Sequence, residues 1–200
     1  MVLRRHLVIF ARYPILGAGK RRLAHDVGAV QALRVQRVML GHALRRLADR
    51  RWLLWLAVTP DRSGPWRARH RLVAQGSGNL GDRMTAVARR LPPGPVVIVG
   101  SDVPGIMGDD VARAFRALGN CDAVFGPAHD GGYWLIGLRR RPRFVDPFRN
   151  VRWSSPHALA DTRRNLSGNA IALLNSRRDV DDGASLAWHR RWDRLNDRVC

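Results

Sequence analysis

Short apolar runs alternate with helix-period segments along the whole chain, and no other feature restricts its fold so strongly. Leu7–Ala11, Trp52–Val58, Arg71–Ala74, Val96–Val99, Ala123–Phe125, Tyr133–Leu138 and Ala170–Leu174 read as strands, most of them bounded by turn residues. Ala29–Asp49, Leu80–Leu91, Asp109–Leu118, Pro156–Leu166 and Ala184–Leu195 read as helices, with Asn79 placed to cap the second. Strands that alternate with helices pair mostly in parallel and are covered on both faces. The expectation is an α/β fold, a three-layer α/β/α sandwich around a mostly parallel mixed sheet, in one domain spanning residues 1–200. No repeat or linker interrupts the pattern.

Polar chemistry is concentrated just after the strands. In open α/β sheets a ligand lies beyond the carboxyl ends of the strands, so the clusters at Arg12–Lys20, Ser101-Asp102 and Asp179–Asp182 can converge on one crevice. The first cluster has glycines that let backbone approach a phosphate, and Lys20 and Arg22 offer charge and directional donors. It is not a P-loop, because Pro14 stands where the first glycine is required and Arg21 where Ser or Thr is. Asp102, in Gly100-Ser-Asp-Val-Pro104, follows a buried strand and is the type of hard oxygen ligand that holds Mg²⁺ or Mn²⁺ on phosphates. Alternation puts Asp179 and Asp181 on one side of an extended segment, where they supply further carboxylates or lead into the last helix. Asp130-Gly-Gly-Tyr133 reads as a tight turn presenting a carboxylate and an aromatic ring. Trp153 either lines an acceptor site or belongs to the core. His129 and His157 have no metal-ligand spacing.

Two features pull toward other readings. Gly76-Ser-Gly-Asn-Leu-Gly81 matches the dinucleotide fingerprint G-x-G-x-x-G, with Asp102 at 21 residues beyond Gly81, but no comparable second half-site accompanies it. The net charge of +19 and a pI near 11.8 suggest nucleic acid. The residue counts temper that. Lys20 is the single lysine among 35 basic residues, and all 16 acidic residues are aspartate, so the skew is a broad compositional bias with arginines dispersed over the chain. No specific nucleic-acid motif accompanies the charge, which leaves a salt-sensitive, non-specific adhesion as its direct consequence. A non-enzymatic nucleic-acid-binding protein is the rival class, favoured by a clustered basic surface without an acidic crevice. A lysine retained amid so many arginines points to a need for a compact ammonium at position 20.

No apolar run approaches the roughly 18 to 20 residues of a membrane span. Leu7–Ala11 is too short for a signal-peptide core and meets Arg12 directly. The two cysteines, Cys121 and Cys200, form no metal-type pair, and Cys121 reads as a small buried hydrophobe. These features give a cytoplasmic protein without a membrane span as the expectation; nothing in them speaks to oligomeric state.

Taken in order, the segments F-x-R-x-P-x-x-G-x-x-K-x-R-L, Q-G-x-G-x-L-G-x-R-M, G-S-D-x-P, G-P-A-x-D-G-G-Y-x-L-I-G, W-S and D-V-D resemble the glycosyltransferase-like family associated with radical-SAM and selenodomain genes. That family is similar to 2-phospholactate guanylyltransferase and, more distantly, to molybdenum cofactor guanylyltransferase. The resemblance runs from Leu7 to about Leu186 and implies the nucleotide-diphospho-sugar transferase (GT-A) fold. It implies a transferase acting on a nucleotide-activated donor and a small-molecule acceptor with Mg²⁺ or Mn²⁺. By it, Arg12, Gly17, Lys20, Arg22, Gln75, Gly81 and Arg83 would bind the nucleotide. Asp130, Gly131, Gly132, Tyr133 and Trp153 would face the acceptor, and Asp102, Asp179 and Asp181 would hold the metal. Lys20, Asp102 and Asp130 would carry the catalysis. Arg21 stands where threonine is usual, Ser155 replaces threonine after W-S, and Asp182 and Ser185 depart from the usual T-P-E-D after D-V-D. Glycosyl transfer is the preferred reaction; nucleotidyl transfer onto a phosphorylated acceptor, with Arg139–Arg152 as its phosphate ligands, is the alternative.

Overall fold

The computed structural model describes residues 3–61, 70–141 and 144–196. Among them β1 (His6–Arg12), β2 (Leu53–Thr59), β3 (Arg71–Ala74), β4 (Val96–Gly100), β5 (Ala123–Pro127), β6 (Tyr133–Leu138) and β7 (Ile171–Leu173) form one sheet. Its order is β3-β2-β1-β4-β6-β5-β7. β6 is antiparallel to β4 and β5, and the other pairs are parallel, so the expected mixed sheet is present.

The helices are α1 (Arg21–Val27), α2 (Ala29–Arg46), α3 (Leu80–Arg90), α4 (Gly108–Ala117), α5 (Ala158–Arg164) and α6 (Gly183–Asn196). Sequence pattern anticipates all but α1. That helix has seven residues, no capping side chain and only Leu23 buried, so it leaves no periodic signal to read. α3 starts where expected: Asn79 and Asp82 each accept the other's backbone N–H in a reciprocal cap.

Alternation along β1 separates two cores. Leu7, Ile9 and Ala11 pack with Leu40 of α2 and with Val111 and Phe115 of α4. Val8 packs on the opposite face with Met84 and Val87 of α3 and with Leu166 beyond α5. Helices therefore cover both faces, which is why the central strands are apolar throughout. A smaller cluster of Leu23, Ala32, Val180 and Leu186 joins α1, α2 and α6. It seats residues 179–182 beside the start of α1.

β1 lies between β2 and β4, and the connections that leave it and return to β4 depart on opposite sides of it. Such a switch point opens a crevice outside the carboxyl ends of the two strands. Because β6 is antiparallel, its first residue, Tyr133, shares that edge with Arg12 and Gly100. Part of the basic stretch after β6 closes the opposite end. Arg140 is pushed down to about 10 by burial, and its guanidinium donates to the carbonyls of Ala88, Leu91, Pro92 and Gly94 at the end of α3. Cys121 is half-buried rather than in the core, because it lies in the turn before β5. Cys200, Pro142 and Arg143 lie outside the described residues. Among the described residues no helix is long and apolar enough to cross a membrane.

Candidate active site

Two adjoining clefts, of about 430 and 780 Å³, open over the edge where β1 and β4 end. They share Lys20, Asp102, Tyr133, Asp179 and Asp181. The loop after β1 reaches this point through a left-handed backbone at Gly17 (φ 76°), Gly19 (φ 84°) and Lys20 itself (φ 46°). Lys20 precedes α1 but does not cap it. Its side chain turns into the crevice instead.

There the Lys20 ammonium donates to Asp102 Oδ2 at 3.0 Å, to Asp181 Oδ1 at 2.7 Å and to the carbonyl of Val180. The Val180 N–H donates in turn to the carbonyl of Asp102 at 3.1 Å, so the two carboxylate-bearing segments are tied together. Burial opposes the charge on Lys20, but Asp102 and Asp181 outweigh it and raise the ammonium above its ordinary value. Burial likewise works against ionised Asp181, and the Lys20 charge and hydrogen bond reverse that and hold it low. Asp179 has no ammonium among its described partners; its side chain hydrogen-bonds with Asp181. Burial, then the charges of Asp181, Asp102 and Asp130, push it up to about 6.

Alternation thus operates as expected at 179–181: Val180 is buried, while Asp179 and Asp181 both face the clefts. Asp182 does cap the last helix, accepting from the Ser185 N–H at 2.7 Å. The D-V-D-D segment thus caps the last helix through Asp182 and lines the clefts with Asp179 and Asp181.

Three hard carboxylates on two segments suit a divalent cation such as Mg²⁺ or Mn²⁺. Asp102, Asp179 and Asp181 are the residues that would hold it. Among the described residues no group of three or more His, Cys, Asp or Glu is arranged around a common metal position. Here two of the three, Asp102 and Asp181, are instead bound to the lysine.

The larger cleft continues past Asp130 and Gly132 to Trp153, Ser154 and Pro156. Asp130 is exposed, and its Oδ1 accepts the Gly132 N–H at 2.9 Å, fixing the turn. Gly131 (φ 85°) packs on the 156 backbone: a Cβ would stand 2.2 Å from the Pro156 carbonyl oxygen. Tyr133 and Trp153 reach the cleft with their rings but not their polar atoms. Burial pushes the Tyr133 phenol far up, and the Trp153 indole N–H is buried with no hydrogen-bond partner among the described residues. The expected exposure of these aromatics therefore holds for ring surface only, since their edges pack on Phe125 and Phe148.

The residues expected around the nucleotide divide. Arg12 lines the smaller cleft and Arg22 the larger. Gly17 shapes the loop. Gln75 is buried behind the cleft, its amide donating to the carbonyls of Ala11 and Ala57 and its oxygen accepting from Arg83 Nη1 at 3.3 Å. It pins the ends of β1 and β2. Gly81 is buried in the first turn of α3, where a Cβ would lie 2.8 Å from both Phe148 Cβ and Trp153 Cζ2. The third glycine of the apparent dinucleotide fingerprint thus serves packing of α3 against the 148–153 segment. No described residue from Arg139 to Arg152 lines either cleft.

Sequence reasoning does not single out Asp161, a buried carboxylate on α5 that holds Arg152, next to Trp153. Its only signal is an aspartate within a helical pattern, which reads equally as a solvated position.

The family described as uncharacterized protein conserved in bacteria (DUF2064) matches residues 42–155. A Desulfovibrio desulfuricans G20 protein, provisionally named a nucleotide-diphospho-sugar transferase, is 30% identical with a TM-score of 0.82, over 90% of this chain and 84% of that one. A CMP:2-keto-3-deoxy-manno-octonic acid synthetase, solved with CTP, shares the fold at 15% identity and a TM-score of 0.62, over 96% and 99% of the two chains. Rv0371c of Mycobacterium tuberculosis H37Rv, solved with manganese, shares it at 15% identity and 0.57, over 94% and 97%. No curated protein sequence matches the chain. These likenesses agree with the fold and family read from the motifs.

Proposed function

Because the chain belongs to the DUF2064 family, and shares the nucleotide-diphospho-sugar transferase fold, we propose that it is a metal-dependent transferase that moves a glycosyl group from a nucleotide sugar to a hydroxyl-bearing small molecule. The observation that carries the reading is the make-up of the larger cleft. A carboxylate, Asp130, and the ring surfaces of Tyr133 and Trp153 adjoin the Lys20–Asp102–Asp181 cluster there, and no described arginine between 139 and 152 does. An acceptor phosphate would want those arginines; a hydroxyl on an apolar ring face suits the wall that is present. The same acidic convergence, in a chain of net charge +19, speaks against a nucleic-acid binder as the primary role.

In this reading Arg12, Lys20 and Arg22 hold the donor diphosphate, and Gln75 keeps the ends of β1 and β2 in register beneath it. The acceptor hydroxyl attacks the anomeric carbon while Asp130, through its Oδ2, takes the hydroxyl proton. The bond from that carbon to the diphosphate oxygen breaks, and the nucleoside diphosphate leaves with the electron pair. A divalent ion bound by Asp102, Asp179 and Asp181 would supply Lewis-acid stabilisation of that departing charge. The basic side chains add fixed positive charge where negative charge develops.

The test is incubation with Mn²⁺ and a panel of nucleotide sugars and nucleoside triphosphates, with products read by mass spectrometry. Nucleoside diphosphate released from a nucleotide sugar is the expected result. Pyrophosphate from a triphosphate, with no sugar-donor turnover, would instead establish nucleotidyl transfer.

A further inference from the structure

We infer that Lys20 is a resident counter-ion of the carboxylate cluster, which a divalent metal must displace, so that binding of metal and of donor phosphate become one coupled step. The inference rests on the metal-dependent reading above and adds an order of events to it.

The argument starts from donor counting. An ammonium has three N–H donors and no more. In Lys20 all three are taken by protein: Asp102 Oδ2, Asp181 Oδ1 and the Val180 carbonyl. No proton remains for a phosphate oxygen, so a lysine that grips a donor must first give up part of this set. Conversely, Asp102 and Asp181 are two of the three carboxylates available to a metal, and each spends an oxygen on Lys20. Metal and ammonium therefore compete for the same lone pairs.

Neither ligand alone resolves the competition. A metal arriving by itself would sit beside a displaced, half-buried ammonium with nothing to neutralise it. A phosphate arriving by itself would meet four converging aspartates, Asp102, Asp130, Asp179 and Asp181. Together they exchange partners: carboxylates to metal, ammonium to phosphate. The resting position of Lys20 is strained, because it holds a left-handed backbone (φ 46°) that favours glycine, between Gly19 (φ 84°) and a seven-residue helix. Thermodynamic linkage then requires the effect to be reciprocal, each ligand tightening the other.

Two measurements test this on the full chain. Mn²⁺ binding is followed by electron paramagnetic resonance of the free ion, with and without uridine or guanosine diphosphate, after subtracting the Mn²⁺ that the same nucleotide chelates in protein-free buffer. Wild type should bind Mn²⁺ about tenfold or more tightly when the effective nucleotide is present. Lys20→Met should bind Mn²⁺ alone about tenfold more tightly than wild type, and lose most of the nucleotide dependence. Lys20→Gly should do the same while relaxing the backbone, which guards against a folding defect in the first variant. Arg21→Met controls for loss of a charge lining the same cleft and should change Mn²⁺ affinity much less.

Because Lys20 is the single lysine of the chain, selective ¹⁵N-lysine labelling also gives one ammonium resonance. It should move when Mg²⁺ and nucleotide are added together and little with either alone. Wild type that binds Mn²⁺ with nucleotide, while both Lys20 variants show unchanged metal affinity, would overturn the inference and leave the metal-dependent reading intact. An equal gain in Arg21→Met would overturn it as well. Mn²⁺ bound by no variant under any condition would remove the metal-dependent reading, and the inference with it.

Discussion

Asp161 receives the Arg152 guanidinium on both oxygens, Nε at 2.8 Å from Oδ2 and Nη2 at 2.9 Å from Oδ1, and takes the Arg152 backbone N–H at 3.1 Å as well. One carboxylate on α5 thereby fixes the backbone immediately before Trp153. The Arg152 side-chain and backbone hydrogen bonds, in that order, hold the Asp161 carboxyl well below the usual carboxylate range. A depressed folded value contributes stability that is present above the unfolded value of about 4 and is lost as pH falls through the folded one. Asp161→Asn is expected to lower the melting temperature at pH 7, with the gap to wild type narrowing steadily below pH ~4. Thermal melts across pH check it; a gap that does not change with pH would deny the carboxylate this role.

Gly81→Ala is expected to destabilise by about 1–3 kcal/mol, the usual cost of forcing a methyl into a packed contact. Alanine would otherwise gain about 1 kcal/mol over glycine inside a helix, so the sign alone decides. Phe148 and Trp153 leave a Cβ at 81 only 2.8 Å of clearance. Urea denaturation reads the difference, and a more stable variant would show that the 148–153 segment yields freely.

Asp179 carries the pH dependence of the cluster. Burial and the charges of Asp181, Asp102 and Asp130 push it up to about 6, so the folded state binds its proton more tightly than the unfolded state does. Its contribution to stability therefore falls as pH rises from about 4 to about 6. In metal-free buffer, Asp179→Asn should melt higher than wild type above pH ~6 and show no advantage below pH ~4. A variant that melts lower at pH 7 would contradict this.

Lys20→Arg should weaken binding of the Mn²⁺–nucleotide complex by about tenfold despite unchanged charge, because the longer planar fork cannot take the place of a compact ammonium on a donor phosphate in this crevice. The Lys20 side chain is only 11% exposed, which leaves a longer guanidinium little room. Isothermal titration with the effective nucleotide measures it. Equal affinity would make the lone lysine an accident of composition.

Sequence by itself determined the layered α/β fold, because helical and strand periods are local and the apolar runs leave the central strands no exposed face. It also located the polar clusters at strand ends, and it isolated Lys20, since one lysine against 34 arginines is visible without coordinates. Tertiary structure alone decided what those residues touch. Lys20 meets Asp102 and Asp181 across 82 and 161 residues, distances over which no periodicity carries information. The same holds for Gly81, whose G-x-G-x-x-G setting suggests a phosphate until Phe148 and Trp153 are seen to pack on it. Arg140 and Arg152, indistinguishable in sequence from the surface arginines, are assigned to carbonyls at and after the end of α3 and to Asp161 by contacts between distant segments. Local pattern specifies an element because each residue there reports on its neighbours three or four positions away. A site is assembled from strand ends brought together by the sheet order, and only the folded chain holds that order.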